Sequence, residues 1–318
     1  MKKLIIAQDI EERQMESIRQ AAPGWEIIAG KEPDNWEDHL AEAEVIAGWK
    51  KSMEEKALRS TTPLRWIQTW SAGVDSLPLK EMESQEIMVT SANGVHAYPI
   101  SETIFAMMLG LTRKINAYVR NQEQKEWAHS GLKLEIHGKT IGIIGVGAIG
   151  KETAKIAKAF GMTVLGVRHS GREAQYVDEM YRTDELHDIL PRCDYIVITV
   201  PLTEATREMF GKKEFQLMKE SAFLINIGRG ETIKEQELID ALQTKRIAGA
   251  GLDVFEKEPL EKDSPLWEME NVIITPHTAG STELYNKRVI EDIFIPNLKN
   301  FLEGKEPAIN LVDYKKGY

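Results

Sequence analysis

Three stretches of this chain carry side chains suited to act together on a carbonyl group. In LINIGRGETI, Arg229 stands between two glycines just after an apolar run. In GLDVFEKEPL, Asp253 and Glu258 follow a second run, and in NVIITPHTAG, His277 follows Pro276 after a third. Hydride exchange at a carbonyl carbon needs one group to hold a neighbouring carboxylate, one to polarise the oxygen and one to exchange the hydroxyl proton. A guanidinium suits the first two tasks, being planar, permanently charged and able to grip carboxylate oxygens in pairs. Imidazole suits proton exchange near neutral pH, and a carboxylate behind it fixes its tautomer and stabilises the imidazolium. Singly, each has an ordinary reading: Arg229 as a surface-loop cation, Glu258 as a solvated acid in EKEP, His277 as a turn residue. Their shared placement just beyond strands, the edge where open α/β sheets take ligands, points to chemistry.

A cofactor motif lies upstream. GVGAIG puts Gly145, Gly147 and Gly150 in G-x-G-x-x-G spacing, with an apolar strand running in and the helix-forming AIGKETAKIAKAF running out. The first glycine permits a tight turn, the second lets the backbone approach a pyrophosphate, and the third allows close helix–strand packing. The helix N-terminus that follows, beginning at Ala148 and Ile149, offers free N–H groups and a positive dipole end to phosphate. The next strand ends in LGVRHSGR, so Arg168 stands where an acid usually meets the adenosine ribose. An acid there would repel a 2′-phosphate; Arg168, with His169, Ser170 and Arg172, would attract one. The expected cofactor is therefore NADP rather than NAD. No metal is called for.

Short β-rich runs alternate with helical stretches nearly throughout, as in parallel sheets with crossover helices. The first third predicts strands at Lys3–Ala7, Trp25–Ala29, Glu44–Trp49, Arg65–Trp70 and Ile87–Ala92. A helix starting near Pro99 and running toward QEQKEW suggests a connector between domains. A second series follows at Thr140–Val146, Thr163–Val167, Tyr195–Val200, Phe223–Ile227, Gly249–Val254 and Asn271–Pro276, then a helix from about Thr282 to Phe301 broken near Pro296. The two series look like two versions of one architecture.

The 318 residues, 42% apolar and 28% charged, suit two ordinary domains with buried cores. A net charge of −10 argues against nucleic acid and anionic membranes as partners. Cys193 is the only cysteine, so no internal disulfide is possible; its flank reads as a small residue entering a strand. No run approaches the length of a membrane span, and the N-terminal apolar stretch is too short for a signal peptide. A cytoplasmic protein is the default expectation.

These motifs, with SAGVDSLPL, SANGVHAYPISE, VPLTEATR, SPLWEMENVIITPHTAG and the closing FLEGKEPAIN, resemble the D-isomer-specific 2-hydroxyacid dehydrogenase family over nearly the whole chain. The resemblance implies an α/β protein of two doubly wound parallel-sheet domains. A Rossmann-type dinucleotide domain, 98–284, would be inserted into a flavodoxin-like substrate domain made of 1–97 and 285–318. It maps the catalytic arginine, acid and acid–base histidine onto Arg229, Glu258 and His277. It gives Asp253 to the nicotinamide carboxamide, and Val200, Pro201, Thr206, Ile227, Gly228, His277, Ala279 and Gly280 to the rest of the cofactor site. Backbone N–H groups of Ala72, Gly73 and Val74, with Arg229 and His277, would bind the substrate. A homodimer formed largely through the nucleotide domains is also implied. Arg168 departs from the family's usual acid, Glu258 replaces the glutamine of formate dehydrogenases, and an end at Tyr318 leaves no room for a regulatory domain.

The implied activity is reduction of a small 2-oxo acid, glyoxylate or hydroxypyruvate first, to a D-2-hydroxy acid. Trp49 and Trp70 read either as pocket walls or as core, and Lys50 and Lys51 either as phosphate contacts or as solvated cations. A dinucleotide-sensing binding protein of the corepressor kind competes, but would not need Arg229, Glu258 and His277. A broad aldehyde or ketone reductase would not need the carboxylate-holding arginine.

Overall fold

The alternating pattern resolves into two sheets, in which every strand pair is parallel, in a computed structural model describing residues 1–74, 76–129 and 131–314. The chain divides into two compact units, Met1–His96 with Thr282–Tyr318, and Ala97–Ser281. Positions 315–318 of the C-terminal stretch predicted for the substrate domain lie outside the described residues.

In the first unit, β1 (Lys3–Ile6), β2 (Glu26–Ala29), β3 (Ala43–Ala47), β4 (Trp66–Gln68) and β5 (Met88–Thr90) lie in the order β2-β1-β3-β4-β5. That is the flavodoxin-like order. Leu4, Ile5 and Ile6 are fully buried because helices cover both faces of the sheet. Each such side chain contributes roughly 1.5–3 kcal/mol. Trp66 stacks on Phe294 at 5.3 Å between ring centres, and its indole N–H donates to Thr90 Oγ1 at 2.9 Å, anchoring the C-terminal helix to the sheet. Trp70 donates to Asn286 Oδ1 at 2.9 Å, and Trp49 packs beside the core around Ile46 and Ile67. Lys50 Nζ donates to the Lys31 carbonyl and lies over the Trp36 ring. Lys51 is exposed.

In the second unit, β6 (Thr140–Ile144), β7 (Thr163–Val167), β8 (Glu179–Tyr181), β9 (Tyr195–Ile198), β10 (Phe223–Asn226), β11 (Gly249–Leu252) and β12 (Val272–Ile274) lie in the order β12-β11-β10-β9-β6-β7-β8. Counted within the unit, this is the doubly wound dinucleotide-binding order with one further strand at the end. The expected fold class, a Rossmann-type sheet together with a flavodoxin-like one, is the observed one. Cys193 enters β9 fully buried, and desolvation pushes its thiol up to about 12, an inert core group.

The structure departs from the sequence expectation in three places. Strand β8 was not foreseen, because its Glu179, Met180 and Tyr181 are all at least partly exposed at a sheet edge and show no apolar run. The predicted long helix is two, Ala97–Thr112 and Ile115–Gln124, divided where Lys114 turns left-handed at φ 55°. The apolar pattern runs on through Ile115 and Val119, but those side chains are about half exposed, so the pattern hides the break. The break expected near Pro296 is instead a widened π-helical segment, Val289–Phe294, leading into a helix at Ile295–Leu302. Among the described residues no helix is long and apolar enough to cross a membrane.

Candidate active site

Arg229, Glu258 and His277 leave the carboxyl edge of three neighbouring strands, β10, β11 and β12. The register sets Asn226 beside Leu252 and Leu252 beside Ile274, so the three loops start side by side. Adjacent strands are about 4.8 Å apart, which brings residues distant in sequence to one rim.

The structure joins two of the three side chains directly. His277 Nδ1 lies 2.7 Å from Glu258 Oε2. A carboxylate only accepts, so Nδ1 carries the proton and Nε2 is left for exchange with a ligand. The other Glu258 oxygen accepts from the Phe255 N–H at 3.1 Å, which fixes the carboxylate plane. The His277 side chain stays about half exposed.

His277 sits at φ 53°, a left-handed conformation that side chains bearing a Cβ rarely adopt. Asp253, only 2% exposed, supplies the compensation. Its Oδ1 accepts from Thr275 Oγ1 and from the Thr278 N–H at 2.9 Å, its Oδ2 from the Ala279 N–H at 3.0 Å, and its carbonyl from the His277 N–H at 2.9 Å. Asp253 therefore builds the turn that presents the imidazole. Oδ2 carries one donor and keeps acceptor capacity for another.

Arg229 is held by its backbone. Its carbonyl accepts from Thr232 Oγ1 at 2.7 Å and from Asn226 Nδ2 at 3.1 Å, while Asn226 Oδ1 accepts from the Gly228 N–H at 3.1 Å. The guanidinium, partly exposed, donates to the Gly228 carbonyl at 2.8 Å. On its other side Gly230 abuts the loop leading to Glu258. A Cβ there would lie 1.9 Å from the Phe255 carbonyl and 2.4 Å from the Glu256 N–H, so only glycine fits. Gly230→Ala forces these backbones apart. The expected loss, about 3 kcal/mol as for severe overpacking, is read from the shift of the urea unfolding midpoint.

The glycine turn has the shape that its spacing predicts. Gly145 takes φ 107°, and a Cβ on Gly150 would lie 2.4 Å from the Gly145 carbonyl. A Cβ on Gly147 would meet nothing within 4 Å, and no side chain caps the helix Ala148–Ala159 that starts there. Residues 105–279 match the family profile described as D-isomer specific 2-hydroxyacid dehydrogenase, NAD binding domain. The chain belongs to this family. It is an NAD(P)-dependent 2-hydroxyacid dehydrogenase.

Glyoxylate/hydroxypyruvate reductase B of Salmonella typhi is 34% identical to this dehydrogenase over 274 residues, covering 84% of this chain and 83% of the relative. A crystal structure of a D-isomer specific 2-hydroxyacid dehydrogenase family protein from Aeromonas salmonicida superposes with TM-score 0.84 at 32% identity, over 98% of this chain and 99% of the other. An NADPH-dependent glyoxylate/hydroxypyruvate reductase from Sinorhizobium meliloti, in complex with NADP and sulfate, gives TM-score 0.81 at 28% identity, with all of both chains covered.

The dehydrogenase has a nucleotide edge that fits the group its family requires. The backbone at Gly147 faces open space that a Cβ would intrude on, and the uncapped helix presents its N–H donors beside it. At the end of β7, Arg168 is partly exposed, and His169, Ser170 and Arg172 are exposed. Val200 and Pro201 follow β9, and Thr206 closes their loop by donating to the Pro201 carbonyl at 2.7 Å. Ile227 is buried directly after β10 and Ala279 within the loop after β12, Gly228 is packed against the Val200 carbonyl, and Gly280 is partly exposed. In the first unit, Ala72 is exposed, Gly73 partly so and Val74 buried; the Gly73 carbonyl accepts from Ser71 Oγ at 2.7 Å. The next residue, Asp75, lies outside the described residues.

Four positioning residues escaped the sequence reading. Thr199 Oγ1 donates to the Gly145 carbonyl at 2.6 Å and ties the glycine turn to β9. Asn226 and Thr232 hold Arg229, and Thr275 completes the Asp253 network. Asn226 left a signal, a lone polar residue in the apolar run FLINI.

Proposed function

We propose that this dehydrogenase reduces small 2-oxo acids, glyoxylate and hydroxypyruvate foremost, to D-2-hydroxy acids and prefers NADPH to NADH. The observation that carries the reading is the 2.7 Å pairing of His277 Nδ1 with Glu258, on the same strand edge as Arg229. The names of the Salmonella and Sinorhizobium relatives support the substrate class, and the Sinorhizobium protein's NADP complex supports the cofactor.

In this mechanism Arg229 grips the substrate carboxylate and polarises the ketone oxygen, since its fork can serve both. His277 Nε2 donates a proton to the oxygen as it gains charge. Glu258 holds the imidazole in the productive tautomer and stabilises its cation. Asp253 Oδ2, through its remaining acceptor capacity, orients the carboxamide. When bound, the reduced nicotinamide supplies hydride to C2. In the opposite direction His277 takes up the hydroxyl proton.

Arg168, His169, Ser170 and Arg172 are assigned to the 2′-phosphate of NADP. Among the described residues neither Arg168 nor Arg172 is in an ion pair, so both guanidinium groups are available. Arg168→Asp is expected to weaken NADPH binding by about 100-fold and leave NADH binding within about threefold, because a paired guanidinium is replaced by a repelling charge. Fluorescence titration with each nucleotide checks this.

A homodimer belongs to the same reading. Ile115 and Val119, one turn apart on the helix Ile115–Gln124, are about half exposed, an apolar helix face that a second copy would cover. A cytoplasmic location accords with a lone cysteine. The deciding experiment mixes the purified protein with NADPH or NADH and a panel of 2-oxo acids. Fastest loss of reduced-nicotinamide absorbance is expected with glyoxylate or hydroxypyruvate and NADPH; turnover of none of the acids contradicts the reading.

A further inference from the structure

Strand β8, which the sequence hid, delivers a third arginine to the exit of β7. Val167 and Tyr181 are register partners on these parallel strands, and the Arg168 N–H donates to the Tyr181 carbonyl at 3.0 Å. The residues that follow, Arg168 and Arg182, therefore leave the sheet side by side on its carboxyl edge. The loop carrying Ser170 and Arg172 then folds back: Gly171 turns left-handed at φ 60° and donates its N–H to the Arg168 carbonyl at 3.0 Å. A Cβ on Gly171 would lie 2.9 Å from Arg182 Cγ, so the aliphatic stem of Arg182 lies directly on that turn.

The charges around the turn do not quench this cluster. Glu179 is bound by Arg192 and by the Tyr181 hydroxyl, and Arg192 holds its carboxyl down to about 2. Glu185 accepts from the Arg182 backbone N–H at 2.7 Å. Asp184 faces the Arg182 guanidinium at 3.6 Å, but the two side chains are 61% and 80% exposed, a pairing that water screens and a phosphate can displace.

We propose that Arg182 is a specificity-determining residue for the 2′-phosphate of NADP, closing with Arg168 and Arg172 a guanidinium cluster around it. Nothing in the glycine motif or the strand-end rule reaches β8, whose arginine arrives through strand pairing alone. The inference rests on the NADP reading above, and the test separates the two.

Calorimetric titration of the full chain with adenosine 2′,5′-bisphosphate and with adenosine 5′-phosphate reads binding without turnover. The wild-type protein is expected to bind the bisphosphate about 100-fold more tightly. Arg182→Ala is expected to cost about tenfold for the bisphosphate and nothing for the monophosphate. Arg182→Lys recovers part of that loss, since a point charge lacks the planar fork. Asp184→Asn tightens the bisphosphate by about threefold by releasing Arg182 from its competitor. A wild-type protein without preference overturns the NADP reading, and this proposal with it. A preference that survives Arg182→Ala unchanged overturns the proposal alone, as does equal weakening of both ligands. Should Arg182→Ala fold poorly, Arg182→Gln, which keeps the aliphatic stem on the Gly171 turn and removes only the charge, replaces it, and an unchanged preference in that variant is equally decisive against the proposal.

Discussion

Replacing His277 with alanine lowers kcat for 2-oxo acid reduction by about 10⁴, with NADPH affinity changed less than about twofold. The loss combines proton donation with stabilisation of the developing alkoxide, together about 5 kcal/mol of barrier. Nucleotide affinity is spared because the imidazole is committed to Glu258, while the donors proposed for the phosphates lie at the Gly147 turn on another strand. The left-handed backbone at His277 makes alanine mildly unfavourable, yet the turn is held by Asp253 through its carboxylate and carbonyl, so the fold persists. Glu258→Gln is the subtler variant. It keeps the shape and removes the negative charge, and about 10²–10³ in kcat is expected to go with it. Steady-state kinetics paired with nucleotide titration checks both; wild-type turnover in His277→Ala removes that residue from the scheme.

Arg229→Ala is the second large effect, a fall of about 10³–10⁴ in kcat/KM. Loss of a grip on the carboxylate predicts a dependence on the substrate itself. With the decarboxylated aldehyde in place of the 2-oxo acid, the same substitution costs about tenfold or less, because only carbonyl polarisation is lost. Arg229→Lys recovers little, since an ammonium cannot offer two parallel N–H donors. Added guanidinium salt restores part of the activity of Arg229→Ala but none of that of His277→Ala. Equal losses on acid and aldehyde would mean that Arg229 does not recognise the carboxylate, and would favour a general carbonyl reductase.

Much of this was legible in the sequence because its physics is local. An apolar strand, the spacing of Gly145, Gly147 and Gly150 and a helix former suffice to specify the tight strand–turn–helix unit. Arg229, Glu258 and His277 each announce themselves as polar groups just past apolar runs. What stayed hidden depends on pairing across the chain. The bond between His277 and Glu258 was implied by the resemblance alone, since it follows from strand adjacency, which no local pattern encodes. Asp253 suggested a ligand contact, yet its carboxylate spends two backbone bonds and one hydroxyl bond on the His277 turn. Gly230, in sequence only a glycine flanking Arg229, is a point of contact with the Phe255 backbone. Strand β8 is polar at an edge, where pairing with β7 rather than burial sets its conformation, so hydrophobic periodicity could not find it or its arginine.

The most direct measurement follows the transferred hydrogen. The protein is incubated with glyoxylate or hydroxypyruvate and NADPH carrying deuterium at both C4 positions, and the product is examined by mass spectrometry and chiral chromatography. One deuterium bonded to C2 is predicted, with hydroxypyruvate giving only the D-hydroxy acid. Deuterium absent from C2, or NADPH consumed with no hydroxy acid formed, would contradict the account.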